Sequence, residues 1–416
     1  MINSITIKKS DHFSKFRSLK LQRDFSHSAL NTFKTLCQQS RTTCTFWRGR
    51  KQILLLNEIS LVKEILSRSS KEFGKTRKKR PVFGDGLVTA EGSEWAEQRK
   101  YALSELRLGP TKEREGAALA EIEQCVKEWR DGENSLTSLI GELNLRLVTQ
   151  LFFGVSLGDQ AKGLHQALSE LIRPKPSLLS RQSYLKSLKH LKESIRGIIE
   201  NSQQLSDRQF RIFSSNSSQH SNAPVWDQVS TFLLASADTT STWLSWALWK
   251  MSKLPTWQTT IRDELSTPHS LSFDSKQFPI TDSFLNECLR MYPPIWIISR
   301  EALTHTKIGD DIIRQGTEIV FLPYFLHRDT RYWKDPEVFD PSRFSQKKSY
   351  PAFLPFGGGP RVCVGSQMAF RQSRMILGRV LHSFEFFSSP GQEVPEPLFT
   401  LRPKHGAKVI LKKLKT

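Results

Sequence analysis

Cys363 is the residue whose surroundings most suit it for chemistry, in the run Phe353-Leu-Pro-Phe-Gly-Gly-Gly-Pro-Arg-Val-Cys-Val-Gly-Ser366. The other four cysteines (Cys37, Cys44, Cys125 and Cys288) have no such context and read as small buried hydrophobes. Cys363 follows a glycine-rich turn and precedes a helical pattern of apolar residues, Met368, Phe370, Ile376 and Leu377. Turn N–H groups and a helix N-terminus stabilise a thiolate and lower its pKa. A nucleophilic thiolate needs a histidine base within reach, and no Cys/His signature surrounds this one. Zinc needs several Cys or His ligands at short spacing, which this region lacks. A single thiolate suits the axial position of a haem iron, where its electron density favours O–O cleavage. Gly357, Gly358, Gly359 and Gly365 let the backbone lie flat against a porphyrin.

The element Phe356-x-x-Gly359-x-Arg361-x-Cys363-x-Gly365 resembles the haem-binding loop of the cytochrome P-450 superfamily. Three further matches stand in the family's chain order: Ala235-Ser-Ala-Asp238-Thr239-Thr240, Glu287-Cys-Leu-Arg290 and Phe339-Asp-Pro-Ser-Arg343-Phe344. The resemblance spans about residues 40 to 412. It implies haem b (iron protoporphyrin IX) with Cys363 as the metal ligand and Phe356 and Gly365 as cofactor-binding positions. It implies propionate contacts from Arg361, Arg99, Arg300 and Trp95. It also implies a proton relay through Asp238 and Thr239 on a central helix, and a buried Glu287–Arg290–Arg343 network that locks the cysteine loop. The residues bear on these roles independently. Glu287 and Arg290 stand three apart and share a helix face, as Trp95 and Arg99 do at four apart; an exposed ion pair of this kind would be worth little. Ala235, Ser236 and Ala237 are small enough for a flat cofactor and a diatomic molecule to approach the helix, although many family members carry Gly where Ser236 stands.

Helical periodicity dominates the elements that must position these residues. It predicts helices over 58–68, 93–106, 116–130, 136–153, 159–172, 184–202, 226–252, 255–265, 281–291 and 366–382. Strand-like pieces are Thr45-Phe-Trp with Gln52-Ile-Leu-Leu-Leu, Glu318-Ile-Val-Phe and Lys408-Val-Ile-Leu. The polar run 214–222 reads as a loop, and Pro and Gly between 336 and 360 make a long irregular connection. The fold class is mainly α with small β-sheets, and the resemblance implies the triangular, single-domain P-450 fold. Residues 1–40 read as a basic N-terminal segment without a membrane span, and 41–416 as the haem-thiolate monooxygenase domain.

The 416 residues carry 61 Lys and Arg against 41 acids, a net charge of +20. Of these, 19 basic and 5 acidic residues lie in 1–80, so the excess is concentrated there. Five sparse cysteines argue against a disulfide framework, and neither an apolar run of about 18 residues nor a signal peptide is present. A reducing, cytoplasmic setting follows. The implied activity is monooxygenation of an apolar organic substrate, fatty-acid-like or a secondary metabolite, with dioxygen. The stretch Arg290-Met-Tyr-Pro-Pro-Ile-Trp-Ile-Ile-Ser-Arg300 resembles the branch that oxidises fatty acids and related lipids. Its loops 80–90, 172–184 and 295–299 would shape specificity. No flavin or iron–sulfur module fits in the chain, so a ferredoxin or flavodoxin with its reductase would supply electrons, docking near Lys100, Arg371 and Arg374. The run Lys75, Arg77, Lys78, Lys79 and Arg80 suits an anionic partner such as a carboxylate, a membrane surface or an acidic carrier protein, or is simply a solvated surface. The same motifs are compatible with oxidative phenol coupling or peroxide-driven oxidation. A basic nucleic-acid-binding protein would explain the charge, but no DNA- or RNA-binding motif is present.

Overall fold

The structure is a computed structural model that describes residues 11–12, 25, 28–40, 42–48, 51–75, 83–171, 173, 178–203, 225–266, 277–309, 311–346 and 348–415. Amphipathic and fully apolar runs form α1 (Ala29–Gln39), α2 (Ile59–Ser67), α3 (Gly92–Leu108), α4 (Lys112–Lys127), α5 (Leu136–Phe153), α6 (Gln160–Leu171) and α7 (Leu178–Gln203). They continue as α8 (Val225–Ser252), α9 (Pro255–Leu265), α10 (Pro279–Met291), the single turn α11 (Pro323–Leu326) and α12 (Ser366–Ser383). Local chemistry sets their ends. Proline opens α9 and α10, where its missing N–H costs nothing. Thr111 caps α4 by accepting from the Arg114 N–H, and α5 stops at Gly154 in the left-handed conformation, φ 67°.

The 28-residue α8 is apolar on nearly every side and is buried against α5, α10 and α12. This is why its polar middle, Ser236 to Thr242, sits inside the molecule. The Ser236 position leaves the helix unbroken: Ser236 Oγ donates to the Phe232 carbonyl and Thr239 Oγ1 to the Ala235 carbonyl at 2.7 Å.

The main sheet has the order β1-β2-β3-β9-β6-β4. Its strands are β1 (Asp11–His12), β2 (Thr43–Arg48), β3 (Lys51–Leu56), β9 (Glu318–Phe321), β6 (Ile298–Ala302) and β4 (Phe73–Gly74). β3 runs parallel to β9 in the register Ile53↔Glu318 to Leu56↔Phe321, and β6 returns antiparallel, placing Arg300 opposite Ile319. A second sheet joins β10 (Phe384–Ser388), β13 (Lys408–Lys413) and β5 (Gly132–Ser135). Two hairpins, β7 (Thr306–Ile308) with β8 (Asp311–Ile313) and β11 (Pro395–Pro397) with β12 (Leu401–Pro403), complete it.

The ten predicted helices all form, within a few residues of their predicted ends apart from a six-residue earlier start in α7, and the fold is mainly helical with small sheets as expected. Two features differ. Helix α1 lies inside the segment set apart as a basic N-terminus, yet it buries Phe33 and Leu36 beside Phe46 and Trp296. Most of the short strands were not anticipated, because two to five residues are too few to show a period. The 214–222 run lies outside the described residues. Among the described residues, no helix is long and apolar enough to cross a membrane.

Candidate active site

The cysteine loop is shaped by backbone. Gly357 and Gly359 take positive φ (73° and 65°), and a Cβ on Gly359 would overlap the Leu66 carbonyl of α2. The Cys363 N–H donates to the Phe356 carbonyl at 3.0 Å, closing the loop before Gly365 begins α12.

The loop is held from behind. Glu287 and Arg290 of α10 are completely buried; Arg290 Nε and Nη2 donate to the two Glu287 oxygens at 2.8 and 2.7 Å. Arg290 also donates to the carbonyls of His327, Pro336 and Val338, while Glu287 accepts the Asp340 N–H at 2.8 Å. Arg343 approaches Glu287 at 3.6 Å and donates to the Asp335 carbonyl. The three expected residues therefore do meet. His327 extends them to the loop: its Nε2 accepts the Leu354 N–H at 2.9 Å, which leaves Nδ1 to donate to the Arg290 carbonyl at 3.2 Å. Burial pushes the His327 imidazole down to about 3, so it stays neutral.

Cys363 faces a cavity of about 880 Å³. Its accessible surface opens into that cavity. Burial pushes the thiol up, while the Gly365 N–H, Lys75 and Arg99 pull the other way without prevailing. The loop and helix terminus alone thus do not make a low-pKa thiol, contrary to the sequence expectation, because desolvation is the largest influence on it. A positive centre beside the sulfur would be needed to keep it ionised.

One side of the cavity collects cations: Lys75, Arg99, Arg300 and Arg361, with Trp95 among them. The Arg361 guanidinium lies 4.2 Å from the Trp95 ring and pairs with Glu91; Arg99 donates to the Val362 carbonyl at 2.9 Å. Arg300 is only 6% exposed, and its hydrogen bonds among the described residues go to Ser69 Oγ and the Ser299 carbonyl, with no carboxylate. Burial and the neighbouring Arg361 push it down to about 10. Only the more distant Glu91 acts against them, so this buried cation, with no carboxylate hydrogen-bonded to it, suits an incoming anion.

The opposite wall is α8, with Ala235, Ser236, Thr239 and Thr240 lining the cavity. The remaining lining is largely apolar, including Phe83 stacked on Phe399 at 5.8 Å, with Phe152, Phe232, Ile297 and Phe33. Thr239 and Cys363 therefore share one space. Asp238 does not line it: its carboxylate pairs with Arg402 and accepts from Thr400 Oγ1 at 3.0 Å on the far side of α8. Phe356 also lines the cavity, its ring edge-on to Trp243 at 6.4 Å.

The expected docking cations differ among themselves. Lys100 is exposed, whereas Arg374 is 4% exposed and holds both oxygens of Asp282 at 2.9 and 2.7 Å, and Arg371 pairs with Glu115. Arg374 is thus a structural ion pair of α12 with α10 and is not available to a partner. Lys75, expected at the surface, lines the cavity and donates to the Val88 carbonyl at 2.7 Å; Arg77, Lys78, Lys79 and Arg80 lie outside the described residues. Sequence reasoning missed Glu91, His327 and Arg402, which carry no motif and acquire partners only through folding.

A cavity-facing thiol beside a cation cluster in which Arg300 has no hydrogen-bonded carboxylate among the described residues matches an iron macrocycle bearing carboxylates, the requirement of haem-thiolate enzymes. The family model described as Cytochrome P450 matches residues 16–411, and the chain belongs to that family. It is an enzyme, a P450 monooxygenase, and the family implies a haem-iron cofactor. Similar proteins include an echinocystic acid 23-monooxygenase of Saponaria officinalis, 28% identical over 89% of this chain and 81% of its own. An 11-oxo-beta-amyrin 30-oxidase of Glycyrrhiza uralensis is 26% identical over 88% and 80%, and a cytokinin hydroxylase of Arabidopsis thaliana 28% over 88% and 80%. The crystal structure of CYP175A1 from Thermus thermophillus superposes with a TM-score of 0.76 at 21% identity, covering 97% of this chain and all of that one, which establishes the shared fold.

Proposed function

We propose that the enzyme binds haem b through Cys363 and inserts one oxygen atom of dioxygen into an apolar organic molecule, lipid-like or a secondary metabolite. The observation that carries this reading is that Cys363, the cation cluster and Thr239 all border one largely apolar cavity. When bound, haem supplies reductive dioxygen activation. Arg300, Arg361, Arg99 and Trp95 hold its carboxylates, with Arg300 gaining most because it has no carboxylate of its own. Phe356 packs on the cysteine side, and Gly365 offers its N–H to the sulfur. The aromatic and aliphatic walls bind substrate by removing apolar surface from water and keep bulk water out. Thr239 presents its hydroxyl to the cavity; Asp238, one residue earlier on α8, is paired with Arg402 and Thr400 outside it and would have to turn inward to supply the proton that Thr239 passes on.

The names of the Saponaria and Glycyrrhiza relatives support a terpenoid-like substrate. Electrons come from a separate ferredoxin or flavodoxin with its reductase, in a reducing cytoplasmic setting. Haem-loaded protein, reduced and exposed to carbon monoxide, is expected to show the Soret band of a thiolate ligand. Cys363→Ser should lose that band and the oxygenation, while Cys288→Ala keeps both. An unchanged band in Cys363→Ser would overturn the ligand assignment.

A further inference from the structure

Glu91 stands just before the first turn of α3, where a carboxylate ordinarily accepts from the free N–H groups of its own helix. Here it makes no such cap. Its Oε1 accepts the Lys75 N–H at 2.6 Å and its Oε2 pairs with Arg361 Nη2. One side chain thus joins three segments: the chain after β4, the start of α3 and the cysteine loop. Gly92 follows at φ 62°, so the chain turns into α3 while Glu91 stays extended. The fit around Arg361 is close. Its side chain is 1% exposed, donates through Nη1 to the Ala90 carbonyl at 2.8 Å and lies 4.2 Å from the Trp95 ring.

The charge on this cavity wall is uneven. It carries Lys75, Arg99, Arg300 and Arg361. Of its three arginines only Arg361 has a carboxylate partner among the described residues, and that partner is Glu91. The Glu91 charge also reaches further, opposing the effect of burial at Arg300 as well as at Arg361. Water and salt screen little at buried positions such as these, so one carboxylate is felt across the wall. A carboxylate that leaves its own helix uncapped to serve two other segments answers to the site and not to α3.

We propose that Glu91 is a positioning residue that sets the reduction potential of haem in this site, offsetting one charge of the cation wall and holding Arg361 against Trp95 and Ala90. The inference rests on the reading of Cys363 as the haem ligand and of this wall as the seat of the haem carboxylates. Reduction adds one electron to the site, breaks no bond and takes no proton from Glu91. The cations of the wall favour that added negative charge, and the carboxylate opposes it. Removing the carboxylate therefore makes the ferrous state easier to reach, while a shorter acid at the same position leaves the balance as it is. Arginine carries more N–H donors than Glu91 and Ala90 engage, so holding Arg361 leaves it able to bind an anion.

Haem-loaded protein is titrated spectroelectrochemically with dithionite and mediators, without substrate, and compared by its reduced carbon monoxide spectrum and its rate of haem transfer to apomyoglobin. Glu91→Gln keeps the size of the side chain and an oxygen that can accept, but not the charge. At a fixed solution potential its ferrous-to-ferric ratio should exceed that of wild type by about threefold or more, which is about 30 mV at 59 mV per tenfold for one electron. Glu91→Asp should stay near the wild-type value. So should Glu97→Gln, which removes an exposed acid from the same helix, where water and salt screen it. Should Glu91→Gln load no haem, Glu91→Ser makes the same change of charge with a smaller side chain, and the same shift is expected. A wild-type potential in the variant without the charge overturns the proposal; faster haem transfer beside it would make Glu91 a structural tie only. Equal shifts in Glu91→Gln and Glu91→Asp overturn it too, because geometry and not charge would then set the potential. If wild type itself shows no thiolate band with carbon monoxide, the reading of Cys363 fails and this inference with it.

Discussion

Thr239 and Cys363 reach the same cavity from opposite walls, and each has a bond that defines its role. The Thr239 hydroxyl donates to the Ala235 carbonyl at 2.7 Å, so it keeps lone pairs free to accept a proton from elsewhere. Ser/Thr back-bonding of this kind is common within helices and has no functional meaning by itself. The position on the cavity wall gives it one. Thr239→Ala removes the hydroxyl without opening the cavity to bulk solvent. Haem and ligand binding should be retained in that variant, while a larger share of the electrons ends as hydrogen peroxide. Fully coupled turnover would exclude a relay through Thr239; the measurement is peroxide and product formed per electron consumed.

The cysteine loop owes its shape less to its own sequence than to α10 and the irregular chain after α11. Glu287 serves Arg290, the Asp340 N–H and, at longer range, Arg343, all in a completely buried setting. Glu287→Ala would strand the Arg290 charge, and the expected loss is about 3–5 kcal/mol, read as a lower denaturant midpoint at unchanged slope. His327 makes the same assembly sensitive to acid. The unfolded imidazole titrates near 6.5 and the folded one near 3, so between these values the unfolded chain binds the extra proton. Its neutral bridge from Arg290 to Leu354 is intact above 6.5, and stability falls as the pH drops below that, by up to about 1.4 kcal/mol per pH unit. His327→Gln should show a shallower loss between pH 6 and 4 in urea titrations; an unchanged slope would assign the acid sensitivity to other groups.

Across the whole molecule, the uneven charge divides into different physical situations once the chain is folded. Some of the cations counted in the sequence are internal, such as Arg146, Arg290 and Arg374, each paired with a carboxylate. Lys75 turns inward to the cavity wall, at the start of the basic run that continues through Arg80. Testing that run as a capture site therefore means leaving Lys75 intact. Replacing Arg77, Lys78, Lys79 and Arg80 with Gln should weaken laurate binding at low salt, followed by its haem spectral shift. The difference from wild type should shrink near physiological salt, where the Debye length is about 8 Å. Identical affinities and salt dependence in the two proteins would reduce the run to a solubilising surface.

The cysteine-loop motif, the Glu-x-x-Arg pair and the ten long helices were legible because each is local. A helix shows its period within a dozen residues, and a thiol in a glycine turn is specified by its immediate neighbours. Helix α1 was hidden because charge was weighed over the whole N-terminal stretch, whereas Phe33 and Leu36 find partners in Phe46 and Trp296 across the sheet. The direction of Asp238 could not be read from its place beside Thr239. Consecutive residues on a helix point about 100° apart, and what waits on the second face, Arg402 and Thr400, lies more than 160 residues away in the chain. The thiol's surroundings were only partly legible for the same kind of reason: turn dipoles are local, whereas desolvation, which pushes the thiol up, depends on what packs around the cavity from distant parts of the chain. Residue type and spacing decide which chemistry is on offer here; burial and long-range pairing decide which groups are charged, which are held and which face the cavity.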